Sequence, residues 1–233
     1  MNREQYIKDI MRIYSLVSVL SDKNDCLVLR LRHKEIGRDL VLRSFKEKLC
    51  AYECLLPIRS QNLHVIFDVI TLEDGQIVLE EFIDGLTISQ IMECGKYRYG
   101  GAKKVLTAVC SALNILHERG LVHRDVKPEN VIVCGDGRVV LIDFNASRKI
   151  SDASRDTVIM GTVGYASPEQ LGVTQSDART DIYAAGVLLN VMLIGKHPSE
   201  QLSSGKAGRI VRKCTLLNQD ERYQTATKLA RAL

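Results

Sequence analysis

His123-Arg124-Asp125-Val126-Lys127-Pro128-Glu129-Asn130 crowds two carboxylates, two fixed cations, a histidine and an amide into eight positions. The stretch follows a predicted helix and leads into a predicted strand. Upstream, residues 103–119 place Val105, Val109, Ala112, Leu113 and Leu116 on one helical stripe, with Gly120 as the C-cap. Downstream, residues 131–134 and 139–142 read as two short strands joined by Gly135-Asp136-Gly137. Asp143-Phe144-Asn145 comes thirteen residues beyond Asn130, and Ser167-Pro168-Glu169 follows later. A lone His-Arg-Asp triplet is common on protein surfaces. Three such motifs in this order, on these elements, are far more specific.

Working outward, residues 181–194 are apolar almost all round, the pattern of a buried central helix, and residues 207–233 suggest two short helices around Asn218-Gln219-Asp220. The first eighty residues read mainly as strands, at 14–20, 26–32 and 40–45, separated by polar turns at 21–25 and at 35–39 with Gly37. Residues 46–56 suit a helix that Pro57 should end. Residues 63–71 and 76–80 form a hairpin around Glu73-Asp74-Gly75. There are no repeats and no low-complexity linkers. The class is therefore α+β, a β-rich part joined to a helical part, and ligands favour such a crevice.

Composition narrows the function classes. With 233 residues, 45% apolar and 26% charged, the chain is an ordinary globular sequence long enough to bury a core. A formal charge of +4 is too small to argue for nucleic acid or a membrane surface, and neither partner is expected. The seven cysteines are scattered without a C-x-x-C pair, so reduced thiols are expected ahead of a metal or disulfide role. The N-terminus lacks the apolar core of a signal peptide, and no run approaches membrane-spanning length. A cytoplasmic location is expected, either alone or as the soluble part of a longer product.

Residues 123–130 match the catalytic loop H-R-D-x-x-x-x-N at every fixed position, Asp143-Phe144-Asn145 stands where D-F-G is found, and Ser167-Pro168-Glu169 where A-P-E is found. On these residues, essentially the whole chain resembles Hanks-type serine/threonine protein kinases. The resemblance implies a bilobal fold: an N-lobe over residues 1–83, a small antiparallel sheet with one helix that covers ATP, and a mainly helical C-lobe over 84–233. It also implies roles. Asp125 would accept the proton of the attacking hydroxyl, and Lys127 would reach the transferred phosphoryl group, which points to serine/threonine substrates. Asn130 and Asp143 would hold Mg²⁺ or Mn²⁺ against the ATP phosphates. Val28 and Val41 would roof the nucleotide and Ile132 would floor it, with hinge residues Glu81 and Ile83 beside the base. Thr162 resembles the threonine that braces the catalytic aspartate. Asp181 resembles the buried aspartate that fixes the loop backbone, and Glu169 with Arg222 resembles the ion pair tying the activation segment to the last helices. The substrate would be a protein bearing Ser or Thr, including this chain itself at Thr157, with Ser154 second and Arg124 as the partner of the added phosphate.

The chain also departs from the family pattern. Ser21, Lys23 and Cys26 occupy the positions of the three loop glycines, where side chains crowd the approach of backbone N–H groups to phosphate. Arg43 replaces the strand lysine, keeping the charge on a longer, planar group. Glu53 is the best candidate for the helix carboxylate that pairs with it, although only ten positions separate the two. Glu80 falls at the gatekeeper position, where a buried carboxylate needs a partner, and Arg43 is the one to suspect. Asn145 replaces a glycine, a change that Asn tolerates through its ease with φ > 0. The usual substrate-docking helix after Ile194 looks trimmed. These departures leave a rival reading: a pseudokinase that binds nucleotide or scaffolds with little transfer. Lys23 is the alternative to Arg43 as the phosphate cation.

Overall fold

The computed structural model describes residues 1–23, 25–150, 164–171 and 176–233. They form two compact units, one of Met1–Ser60 with His64–Ile83 and one of Gln61–Leu63 with Asp84–Leu233.

The first unit runs α1 (Arg3–Ile10), β1 (Tyr14–Lys23), β2 (Cys26–His33), β3 (Asp39–Phe45), α2 (Cys50–Leu55), β4 (Ile66–Leu72) and β5 (Gly75–Glu81). Its five strands make one antiparallel sheet in the order β1-β2-β3-β5-β4. Alternate residues of β2 and β3 bury Leu29, Leu31, Leu40 and Leu42 with Leu72 and Ile77. Each such side chain contributes about 1.5–3 kcal/mol by leaving water. The turn expected at 21–25 is tighter than that, because Lys23 still pairs with Cys26. Gly75 takes φ +146, and a Cβ there would lie 2.0 Å from the Phe45 carbonyl oxygen, so the β4–β5 hairpin needs glycine.

Two expectations for this unit are corrected. It carries two helices, since α1 precedes the sheet: Asn2 caps it by accepting from the Gln5 amide at 2.9 Å. Tyr6, Ile7, Ile10 and Met11 lie partly buried against the core. The helix expected over 46–56 is only the six residues of α2, because extended Leu49 at its N-cap supplies no side-chain acceptor and Lys46, Glu47 and Lys48 remain exposed.

The second unit continues with β6 (Gly85–Thr87), α3 (Ile88–Glu93), α4 (Tyr99–His117), β7 (Leu121–Val122), β8 (Val131–Cys134), β9 (Val139–Leu141), β10 (Arg148–Lys149), α5 (Ala178–Ile194), α6 (Gly205–Cys214) and α7 (Ala226–Ala232). Strands β6-β8-β9 form one small sheet and β10-β7 another. The short elements β6, α3, β7 and β10 carry too few residues for a periodic signal and were not expected. Helix α4 ends on Glu118, and Gly120 at φ +67 instead turns the chain into β7. Helix α5 is buried on nearly every side, as its composition predicts, and α4 and α6 pack against it. At Gly186 a Cβ would stand 2.3 Å from the Cys214 Cβ, so glycine sets the close approach of α5 to α6. Buried Asn190 donates to the carbonyls of Lys196 and Gln201, both at 2.8 Å, and accepts from the Ser203 amide, which closes the α5–α6 connection without a further helix. Among the described residues no helix is long and apolar enough to cross a membrane.

Candidate active site

β7 delivers the chain into residues 123–130, and α5 holds them from beneath. Asp181, fully buried, accepts from the His123 amide at 2.9 Å and the Arg124 amide at 2.8 Å, while His117 Nε2 meets its Oδ2 at 2.8 Å. Burial would raise the Asp181 pKa, but His117 and the hydrogen bond from the His123 amide hold it below the usual carboxylate value. A turn this tight is strained: Arg124 sits at φ +69, a conformation that costs a non-glycine residue about 1–2 kcal/mol. Its carbonyl oxygen is caught by Gln170 Nε2 at 2.9 Å, so the strain is held from both sides of the peptide.

Asp125 follows directly. Lys127 Nζ lies 2.7 Å from its Oδ2, and Asn130 Nδ2 donates to its carbonyl oxygen at 2.8 Å and to Oδ2 at 2.9 Å. The 3-10 turn Pro128–Asn130 brings Asn130 back over Asp125. With its amide nitrogen so committed, Asn130 has Oδ1 as the atom suited to a hard cation. Buried His123 supports this loop from within. Its Nε2 donates to the Ile142 carbonyl at 3.2 Å and its Nδ1 accepts from the Asp125 amide at 3.3 Å, a pattern only the neutral imidazole satisfies. Burial pushes the His123 pKa down, against the raising effect of Asp181, Asp125 and Asp143, in keeping with that form. The ring meets Phe144 edge-on, centroids 5.5 Å apart.

Asp143 also takes φ +69, and its Oδ1 accepts from the Asn145 amide at 3.3 Å. The left-handed residue of this motif is thus Asp143. Asn145 keeps negative φ, so its tolerance of positive φ is not what accommodates it. Beyond, Arg222 grips Glu169 through both carboxylate oxygens at 2.7 and 3.0 Å, and Thr180 Oγ1 adds a third bond at 3.0 Å. Burial would raise the Glu169 pKa, but Arg222 holds it below the usual range. The expected roles of Asp181 and of the Glu169–Arg222 pair as scaffolding contacts are therefore met by geometry.

In the first unit, Val28 and Val41 are buried on β2 and β3, and Val28 faces Arg43 in register. Buried Arg43 donates from Nε to Glu80 Oε1 at 2.7 Å, and His64 Nε2 donates to Glu80 Oε2 at 3.0 Å. The suspected Arg43–Glu80 pair is formed. The expected Arg43–Glu53 pair is not: Glu53 stands exposed on α2, which removes it from the nucleotide set. Glu81 is tied to the start of β4 through its side chain, accepting from the Val65 amide at 3.0 Å, and Ile83 is buried. In the second unit, half-buried Ile132 on β8 pairs with Val140. Thr162, Thr157 and Ser154 lie outside the described residues. The residues missed in the sequence are His64, His117 and Gln170, each a polar side chain whose partner is remote in the chain. Gln170 alone left a trace, standing next to Ser167-Pro168-Glu169.

The family model described as "Protein kinase domain" matches residues 42–232. The match opens in β3, after the strands that lack the loop glycines. "Serine/threonine-protein kinase PknB" of Mycobacterium tuberculosis is 30% identical over 180 residues, covering 65% of this chain and 29% of that protein. "Probable serine/threonine-protein kinase PknB" of Lactococcus lactis is 32% identical over 171 residues, 72% of this chain and 27% of that one. A Clostridium perfringens relative, "Probable serine/threonine-protein kinase CPE1738", is 33% identical over 161 residues, 68% of this chain and 23% of its own length. The matched region spans less than a third of each of these relatives.

Proposed function

Since the chain belongs to the protein kinase domain family, we propose that it transfers the γ-phosphoryl group of ATP to a serine or threonine hydroxyl of a protein. The observation that carries this reading is Asp125 flanked by Lys127 and Asn130 on a loop clamped by Asp181. Phosphoryl transfer needs mainly alignment and charge neutralisation, and this loop offers both. Asp125 takes up the proton of the attacking hydroxyl. Lys127 sits against Asp125, placed to neutralise charge on the group in transit.

The donor set suits a hard divalent cation: one carboxylate, Asp143, and one amide oxygen, from Asn130. Among the described residues no group of three or more His, Cys, Asp or Glu forms a metal site. One or two protein ligands are enough for Mg²⁺ when phosphate oxygens and water complete its shell. The cation, when bound, neutralises phosphate charge.

Residues 1–83 are read as the ATP-covering lobe and 84–233 as the catalytic lobe. Val28, Val41, Glu81, Ile83 and Ile132 would line the nucleotide, and Arg43 would meet its phosphates. Autophosphorylation at Thr157 and a cytoplasmic location complete the reading.

The test is incubation of the purified chain with γ-labelled ATP and Mg²⁺, alone and with a general protein substrate. Transfer is expected, and Asp125→Asn should lower it by about 10²–10⁴-fold, the usual contribution of a catalytic base. No label transferred by a folded chain would overturn the assignment; calorimetric ATP binding without transfer would leave a nucleotide-binding module.

A further inference from the structure

Arg43 pairs in register with Val78, and Glu80 with Val41. The two charged residues therefore occupy one face of neighbouring strands, diagonally across the β3–β5 ladder, where long side chains meet. Glu80 has a donor on each oxygen, Arg43 on Oε1 and His64 on Oε2, and all three side chains are at least nine-tenths buried. A buried pair of this kind is tolerated only while it stays paired, because removing one partner strands a charge in low dielectric. Arg43 cannot swing away without exposing Glu80 to that cost, so its direction is set by the sheet.

Helix α2 is built differently. It is six residues long, lacks a side-chain cap, and carries Glu53 on its exposed side. Resting on the kinase reading, in which Arg43 is the cation that meets the nucleotide phosphates, we propose that Glu80 is the positioning residue for Arg43. The carboxylate that aims this cation thus belongs to strand β5, with His64 holding it, and is not Glu53 of helix α2. A cation aimed by a strand ladder is in place whenever the sheet is folded.

A network that only stabilises the sheet would not distinguish one ligand from another, which supplies the test. Mg-ATP and adenosine are titrated calorimetrically into the wild-type chain, Glu80→Gln and Glu53→Gln. Glu80→Gln is expected to weaken ATP by about tenfold or more, the scale of a misplaced binding group, while adenosine binds as before. Glu53→Gln should change neither. Should Glu80→Gln fail to fold by circular dichroism, Glu80→Asp, which keeps the charge but withdraws it by one methylene, is scored for the same selective loss. Equal changes for both ligands, no change, or a selective loss in Glu53→Gln would overturn the proposal. A folded wild-type chain that binds neither ligand would instead overturn the kinase reading, and this inference would fall with it.

Discussion

Asn130 holds Asp125 by two bonds from one nitrogen, at 2.8 Å to its carbonyl oxygen and 2.9 Å to Oδ2. The carboxylate is thereby oriented by the residue five positions on, itself buried. Asn130→Ala should reduce transfer about 100-fold or more, because a misdirected base loses its alignment with the hydroxyl. Asn130→Asp should be no better, since it replaces the donor with a like charge facing Asp125. Steady-state transfer rates at matched circular dichroism check both, and near-normal activity in either would refute the orienting role.

Arg222 and Glu169 make a buried bidentate pair. Arg222→Ala should cost about 3–5 kcal/mol, because the carboxylate is left buried and alone. The double variant Glu169→Gln with Arg222→Met should cost less than Arg222→Ala, since no lone charge remains. Urea unfolding at neutral pH measures the order, and the reverse order would mean the pair is not the source of the stability.

Arg43 is buried against Glu80, whereas Lys23 is exposed at the end of β1. Arg43→Ala should cut phosphoryl transfer about 100-fold or more, as loss of a charge-stabilising group does elsewhere. Lys23→Ala should be mild. Arg43→Lys keeps the charge but loses the planar fork, so intermediate activity is expected. Equal and small effects from both alanine variants would remove either cation from the phosphates.

The pH dependence of stability follows from Glu80. Burial alone would raise its pKa, but Arg43 and His64 bring it from 4.5 down to about 2. A carboxylate depressed on folding contributes stability above its unfolded pKa, and that contribution is lost as pH falls through the folded value. Wild-type stability should therefore drop between about pH 4.5 and 2, and Glu80→Gln should show a shallower slope in that window. Thermal melts across this range decide it; parallel slopes would count against the pair as the source.

Mass spectrometry of the chain after incubation with Mg-ATP should find phosphate at Thr157, with Ser154 second, and none in Asp143→Ala. Such a phosphate would add charge that a neighbouring guanidinium, Arg124 by the family resemblance, can pair with. Unmodified Thr157 and Ser154 in a chain shown to transfer phosphate would rule the site out.

Local pattern by itself determined most of the elements and the catalytic loop. Short runs rich in Val and Leu between polar turns marked β2 and β3, the all-round apolar run marked α5, and residues 123–130 carried their chemistry as a contiguous string, because local composition and motif spacing are properties of neighbouring residues. Helix α1 escaped because it is polar on average and becomes worth forming only when Tyr6, Ile7, Ile10 and Met11 find the sheet. The choice between Glu53 and Glu80 was likewise made in three dimensions. The family pattern pointed Arg43 to Glu53 in spite of a spacing of only ten positions, and the need of a buried carboxylate for a partner pointed Glu80 to Arg43. Strand register brought Glu80, 37 positions away, onto the same face as Arg43. Asp181 reaches the loop amides across 57 and 58 positions in the same way. Tertiary structure settles such pairs because a buried charge must find its partner where the packed backbone has brought one, whatever the distance along the chain.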